Sequence, residues 1–245
     1  MTKFFTVFVT FIYLLLCGAV SAQLPGTFQP LLLAAMPIKP PVSLTSAFGA
    51  GGVNSVSITN VAVSGGDTIV VGCGGNKGST ITVSSVSDGT NTYTKAVGGY
   101  SATNDYDSEI WVSFNVVTIS SATLTCTFST TSDAGPGIAA VSVTGLLGPK
   151  DQTASGNSNG TTSPSAGPTG TLAQANELAI GFLWSGGGGG TITESTGFTA
   201  AVDSHPSPSV HLGYKIVQAT TALTYNPTSG SSVAWGTQLA TFKGY

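Results

Sequence analysis

Residues 122–128 read Ala-Thr-Leu-Thr-Cys-Thr-Phe, and this alternation of apolar and hydroxyl side chains decides the fold class. Successive side chains of an extended strand point to opposite faces, so Leu124 and Phe128 share one buried face. Residues 110–116 and 210–216 alternate in the same way. Because no window of useful length has a helical period, the sequence predicts an all-β protein whose strands have one face inward and one face toward solvent.

The second half of the chain echoes the first. Three segments return in the same order: 67–72 at 176–181, 80–82 at 191–193, and 93–97 at 198–202. The offset drifts around roughly 105 residues, as it does when loops differ between copies of one unit. We therefore expect a jelly-roll-like, two-sheet β-sandwich built from two sequence-related halves, about 53–148 and 171–243, joined by a Gly/Ser/Pro-rich connection. Tandem domains are the alternative.

The first 22 residues predict a secretory signal peptide. Lys3 gives a positive start, an apolar run follows, and small residues precede the expected cleavage before Gln23. A lipoprotein would use Cys17, but the bulky Leu16 before it argues against lipidation. We expect a secreted protein, extracellular or at the cell surface, without a transmembrane segment.

Residues 23–42 form a Pro-rich apolar leader ahead of a β-sandwich domain at 43–245. The leader either packs along its own domain or lends residues 23–41 as a strand to a neighbouring subunit. The second interpretation predicts self-assembly, because an exposed sheet edge accepts an extended apolar segment.

Signal-peptide cleavage leaves two cysteines, Cys73 and Cys126, each in a predicted strand. In an oxidising compartment they predict a disulfide between two strands of the first half. Two separate buried thiols are the alternative, since free cysteine packs as a small hydrophobic residue.

The charge pattern argues against nucleic acid as a partner. The chain contains no arginine, and its ten acidic residues outnumber its seven lysines. Recognition of phosphates needs clustered positive charge and relies heavily on arginine.

Residues 105–109, Asp-Tyr-Asp-Ser-Glu, are the only acidic cluster. If the segment is extended, Asp105, Asp107 and Glu109 share a face at roughly 6.5–7 Å intervals. This spacing suits a carboxylate pair that flanks a glycosidic bond, and the strand is similar to the acidic strand of jelly-roll glycoside hydrolases. Asp105 and Asp107 also suit calcium. The structural interpretation is a charged strand edge that discourages edge-to-edge pairing.

Aromatic and imidazole side chains are the remaining candidates. Tyr106 and Trp111 could stack on sugar rings, although aromatic residues in sandwiches usually belong to the core. His205 and His211 are the only histidines. The alternation places His211 on the outward side of its strand, opposite Leu212. Without metal-ligand spacing, the two histidines make a weak zinc site.

Residues 83–96, Val-Ser-Ser-Val-Ser-Asp-Gly-Thr-Asn-Thr-Tyr-Thr-Lys-Ala, precede a strand at 109–116, Glu-Ile-Trp-Val-Ser-Phe-Asn-Val, and Ala-Asn-Glu-Leu follows at 175–178. This set resembles a jelly-roll-like module of bacterial secreted proteins and phage structural (tail or surface) proteins. The resemblance implies a surface or virion module with no family catalytic residues.

We therefore expect a secreted, non-enzymatic β-sandwich that acts in surface binding, adhesion or an extracellular or virion-like assembly, with a polysaccharide as a candidate ligand and no cofactor beyond the calcium alternative. The rival hypothesis is a glycan-cleaving jelly-roll hydrolase that uses Asp105, Asp107 and Glu109.

Overall fold

The computed structural model describes residues 37–77, 80–101, 105–188, 190–204 and 207–245, which form fifteen β-strands and no helix. The predicted all-β class is confirmed. The predicted signal peptide (1–22) and leader residues 23–36 lie outside the described residues. The strands are β1 Val42–Phe48, β2 Val53–Val63, β3 Thr68–Asn76, β4 Val83–Ser87, β5 Thr94–Ser101, β6 Tyr106–Ser113, β7 Ile119–Ser132, β8 Gly137–Val143, β9 Leu146–Thr161, β10 Glu177–Ser185, β11 Ile192–Thr193, β12 Thr199–Ser204, β13 Ser209–Val217, β14 Thr228–Ser229 and β15 Val233–Gly244.

Two five-stranded antiparallel sheets form the centre of the molecule. The first sheet has the order β1-β8-β3-β6-β5, and the second has the order β9-β15-β10-β13-β12. The second order repeats the first when each strand is replaced by its counterpart in the later part of the chain. The predicted β-sandwich is thus present, while the jelly-roll connectivity and the sequence relationship between the halves stay predictions.

A shared hydrophobic core lies between the two sheets. Val70, Ile110 and Val141 of the first sheet pack in one buried cluster with residues of the second sheet that include Ile180 and Phe182. Apolar contact over whole sheet faces is the main stabilising term of a sandwich of this kind. The two sheets therefore form a single packed body.

A third sheet, with the order β2-β7-β4, covers the outer face of the first sheet. Between them lies a second buried cluster that includes Ile69, Leu124 and Phe128. The predicted disulfide is confirmed here, since Cys73 on β3 is bonded to Cys126 on β7. The bond ties the first sheet covalently to its cover.

The outer face of the second sheet is covered by loops and by the short pair β11-β14. Ala166 and Tyr225 form an isolated bridge there and pack in a third buried cluster with Leu239. As a result, β10 is buried along its whole length, and β3 along all but its last residue. The expectation that every strand has one solvent face is wrong for these strands, because a further layer covers each sheet.

The connection between the halves is more ordered than a linker. Residues 155–160, the Gly/Ser/Asn-rich stretch, lie inside β9, which pairs with β15 at the edge of the second sheet. The small side chains of this stretch allow neighbouring backbone to pack closely against it. A Cβ on Gly156, for example, would collide with the Ser165 carbonyl.

The end of the leader packs on its own domain. Ile38 is only 6% exposed and belongs to the central cluster, and the Lys39 N–H donates to the Thr144 carbonyl. Whether residues 23–41 also serve a neighbouring subunit stays a prediction. Within the described ranges, no helix is long and apolar enough to cross a membrane.

Candidate functional site

The acidic segment does not form one face of three carboxylates. β6 begins at Tyr106, and Asp105 precedes it in a left-handed turn with φ 56°. The Asp105 carboxylate is exposed and accepts a hydrogen bond from the Tyr100 hydroxyl at 2.8 Å. Only Asp107 and Glu109 keep the alternation, and they point toward the third sheet.

Asp107 is fully buried in the first half. Its Oδ2 accepts the Val83 N–H at 2.8 Å, whereas its Oδ1 makes no hydrogen bond among the described residues. Burial, together with the negative charge of Glu109, raises the pKa of Asp107 to about 8. The buried site therefore favours the protonated form of the Asp107 carboxyl.

Glu109, also fully buried, has a partner for each oxygen. Its Oε1 accepts from Lys95 Nζ at 2.9 Å, and its Oε2 accepts from Trp111 Nε1 at 2.6 Å. Lys95 reaches the carboxylate from the surface, with 45% of its side chain exposed. These charge-assisted bonds balance a carboxylate that would otherwise be costly to bury.

The two candidate sugar-stacking aromatics lie on opposite faces of β6. Tyr106 is 2% exposed and packs against Trp184 at an interplanar angle of 42°, with ring centroids 5.5 Å apart; its hydroxyl lies between the backbone carbonyls of Ser158 and Trp235. Trp111 is half-buried against the outer cluster. The two rings therefore do not line one binding surface. The Tyr106 ring is enclosed, so that a sugar cannot stack on it.

His211 is buried rather than outward, because loops cover the outer face of its sheet. Its Nδ1 lies 2.8 Å from Asp203 Oδ1, and its Nε2 lies 2.8 Å from Glu194 Oε2. Burial lowers the pKa of His211, but the hydrogen bonds and charges of Glu194 and Asp203 outweigh it, so that the pKa is raised. Because a carboxylate lies beside each ring nitrogen, this arrangement favours the imidazolium form of His211.

Sequence reasoning missed this cluster of Glu194, Asp203 and His211. Asp203 and His211 are register partners in the β12–β13 hairpin. A prediction of this hairpin and its register from the sequence would have placed the two side chains next to each other. Glu194 comes from the loop after β11, for which the sequence contains no signal. The other histidine, His205, lies outside the described residues.

No metal centre is evident in the part of the chain that the structure describes. No three His, Cys, Asp or Glu side chains there are grouped so that they could hold a metal ion. A calcium site at Asp105 and Asp107 stays a prediction. The Asp105 carboxylate accepts from Tyr100, whereas the Asp107 carboxyl accepts from the Val83 N–H.

A shallow polar groove of about 360 Å³ lies beside the third sheet, lined by Asp88, Gly89, Thr90 and residues 118–122. Asp88 does not reach a ligand, because its carboxylate accepts from the Thr90 and Asn91 N–H groups, the Asn91 amide and the Tyr93 hydroxyl. Burial raises the pKa of Asp88, but these bonds outweigh it and leave the pKa lowered. The groove thus presents hydroxyl and backbone groups on a rigid turn.

Comparison with known proteins gives no family assignment. No protein-family model matches the chain, and no curated protein matches it. Its function must therefore be argued from the geometry of its own residues.

Proposed function

We propose that the protein is an exported, non-enzymatic β-sandwich that works through its surface in adhesion or an extracellular assembly, with a polysaccharide as the ligand class. The observation that carries the non-enzymatic part of this proposal is the burial of the carboxyl groups on β6. Asp107 and Glu109 are fully buried, and Glu109 has both oxygens bonded within the protein.

A general acid or nucleophile must come within hydrogen-bond distance of the substrate. Asp107 has the raised pKa of a general acid, which is the one property that favours the rival hydrolase. The carboxyl is nevertheless enclosed between β6 and the start of β4, where its Oδ2 holds the Val83 N–H. A glycosidic bond cannot reach the Asp107 carboxyl unless the first and third sheets separate.

The surface supplies the binding argument. The groove beside the third sheet presents exposed hydroxyls at Thr90, Ser120 and Ser121 on rigid backbone. Neutral hydroxyl and peptide groups can exchange hydrogen bonds with sugar hydroxyls, and the groove is at the lower end of the volume range of small-molecule sites. The buried disulfide suits an oxidising extracellular environment.

Purified mature protein would be tested on a glycan array and by analytical ultracentrifugation. We expect binding to at least one neutral polysaccharide, lost in Ser120→Phe, which fills the groove. Thr123→Phe, at an exposed position farther along β7, is the matched control and keeps binding. Monomeric protein without glycan binding would overturn the proposal.

The rival hydrolase has its own measurement. Wild type and Glu109→Gln are incubated with a polysaccharide panel, and reducing ends are quantified. We expect no hydrolysis by either protein. Hydrolysis by wild type that is abolished in a folded Glu109→Gln variant would replace the binding module with the enzyme.

A further inference from the structure

Lys243, Asp151 and Glu177 form a cluster on three strands of the second sheet that the surface function does not use. Lys243 is on β15, Asp151 on the neighbouring edge strand β9, and Glu177 on β10 at the other side of β15. Glu177 and Lys243 are register partners. A nucleophilic amine, a carboxyl and a second carboxyl thus meet on one face of the sheet.

The amine and the Asp151 carboxyl are held in contact. Lys243 Nζ lies 3.4 Å from Asp151 Oδ1, and the two side chains are 31% and 7% exposed. Asp151 Oδ2 accepts the Ala173 N–H at 2.7 Å, which fixes the orientation of the carboxyl and polarises it. This separation is that of an ion pair, and it places the amine beside the carboxyl group whose Cγ it would attack.

Glu177 is the second carboxyl, and it is fully buried. Its oxygens have no hydrogen-bond partner that meets strict distance and angle limits among the described residues, although the Thr241 hydroxyl, the Gln174 N–H and the Asp151 carboxyl lie close enough to influence its pKa. Burial, assisted by the charge of Asp151, raises the pKa of Glu177. A protonated carboxyl next to Asp151 can give a proton to an oxygen that leaves and take one from the attacking amine.

We propose that Lys243 and Asp151 join in an intramolecular amide cross-link, with Glu177 as the proton shuttle. Burial raises the pKa of Asp151, but hydrogen bonds from the Ala173 N–H and from Lys243 outweigh it and leave the pKa lowered, so the reaction starts from a minor population in which the Lys243 ammonium has transferred a proton to the Asp151 carboxylate. Nζ then forms a bond to Cγ, Glu177 passes a proton from Nζ to the departing oxygen, and the C–O bond breaks with release of water. Glu177 ends in its starting protonation state, and no oxidant or second reactant is needed.

The cross-link gives the second sheet a covalent bond, although it joins two neighbouring strands of one sheet rather than a sheet and its cover. Residues 171–243 contain no cysteine, while Cys73–Cys126 ties the first sheet to its cover. A bond from Asp151 to Lys243 fastens the edge strand β9 to β15. Closure of a long loop restricts the unfolded chain most, so the bond stabilises the fold beyond its local contacts.

The Lys95–Glu109 pair is the internal comparison. It also has an amine, a carboxylate and a neighbouring carboxyl with a raised pKa, Asp107. Both oxygens of Glu109, however, are bound in short charge-assisted hydrogen bonds. Lys95 and Glu109 also lie on adjacent strands of one hairpin, where a cross-link restricts little of the unfolded chain. We assign the reaction to Lys243.

Mass spectrometry of the intact mature protein, reduced and folded before analysis, tests the proposal. We expect a mass below that of the sequence by one water. Digestion with a lysine-specific protease should leave the bond after Lys243 uncut and join peptide 151–215 to peptide 216–245. Folded wild type at full mass, or a water loss confined to Lys95 and Glu109, would overturn the proposal.

Matched variants separate chemistry from folding. Lys243→Arg keeps the charge and removes the nucleophile, so we expect full mass with a native circular dichroism spectrum. Asp151→Asn should lose ammonia in place of water, because the amide nitrogen becomes the leaving group. Glu177→Gln should slow formation of the cross-link at least tenfold, whereas Lys95→Arg should leave the water loss intact. Unchanged cross-linking in Glu177→Gln would remove Glu177 from the reaction.

Discussion

Glu109 and His211 occupy corresponding places in the two central sheets. Each lies on the strand between the central strand and the far edge strand, β6 in the first sheet and β13 in the second. Each is buried and faces away from the core that the sheets share. The charges are reversed, since Glu109 is a carboxylate held by Lys95 and His211 is a cation held by Glu194 and Asp203. The same strand order therefore tolerates either sign of buried charge, provided that partners surround it.

Asp107→Asn is expected to remove a pH dependence of stability. The folded-state pKa of Asp107, about 8, exceeds the ordinary value of 3.8, so the folded protein binds a proton that the unfolded chain releases. Stability should therefore fall as pH rises between about 4 and about 8, by up to about 1.4 kcal/mol per pH unit. Asparagine resembles the protonated acid, and urea unfolding of the variant should lack this slope. Asp105→Asn, at the exposed turn, is the control, and an unchanged slope in Asp107→Asn would contradict the prediction.

His211→Gln is expected to destabilise the second half by about 2–3 kcal/mol near neutral pH, because Glu194 and Asp203 lose their cation. The pKa of His211 is raised in the folded state. Its contribution is thus complete below the unfolded pKa and is lost as pH rises through the folded pKa. The gap in urea midpoint between wild type and variant should shrink in alkaline solution. A gap that grows with pH would show that the folded ring is neutral.

Removal of the disulfide, as Cys73→Ala with Cys126→Ala, is expected to lower the free energy of unfolding by about 4 kcal/mol for a loop with a sequence separation of 53. Thermal unfolding with and without reductant measures the effect. Wild type should lose stability on reduction, while the double variant should be insensitive to reductant. Equal melting temperatures of oxidised and reduced wild type would contradict this expectation.

Gly72→Ala is expected to cost about 1–3 kcal/mol, because a Cβ on Gly72 would collide with the Phe182 ring in the core between the sheets. Gly188→Ala is the control, since the nearest atom to its Cβ is 3.8 Å away, an ordinary contact. Chemical unfolding of both variants should show a loss only for Gly72→Ala. Equal stability would mean that the two sheets can move apart at little cost.

The sequence predicted what local alternation controls. The period-two pattern at residues 122–128 lies in β7, and the pairing of Cys73 with Cys126 followed from two strands and an oxidising compartment. The pattern could not show that further layers cover both sheets, because burial on the second face depends on distant segments. For the same reason, Asp107, Glu109 and His211 were expected to be more accessible than they are.

The two central sheets have corresponding strand orders, whereas the register that the predicted sequence echo implies is not uniform. Tyr93 lies in the cluster under the third sheet, and Phe198 lies in the cluster on the outer face of the second sheet. Both side chains thus face away from the shared core, as the alignment of 93–97 with 198–202 requires. The alignment of 67–72 with 176–181, in contrast, matches Ile69, which faces outward, with Leu178, which faces the shared core. A slip of one residue reverses every side chain of a strand, and similarity of apolar residues alone does not detect it.

The position of Ile38 sets the shortest chain that can keep the central core closed. Its side chain is buried against Gly244, at the end of the last strand, although Ile38 itself precedes β1. A truncated chain that starts at Val42 keeps every strand but uncovers the core at this end, where Leu146 and Phe242 lie. Domain boundaries for expression should therefore include Ile38 rather than begin at the first strand.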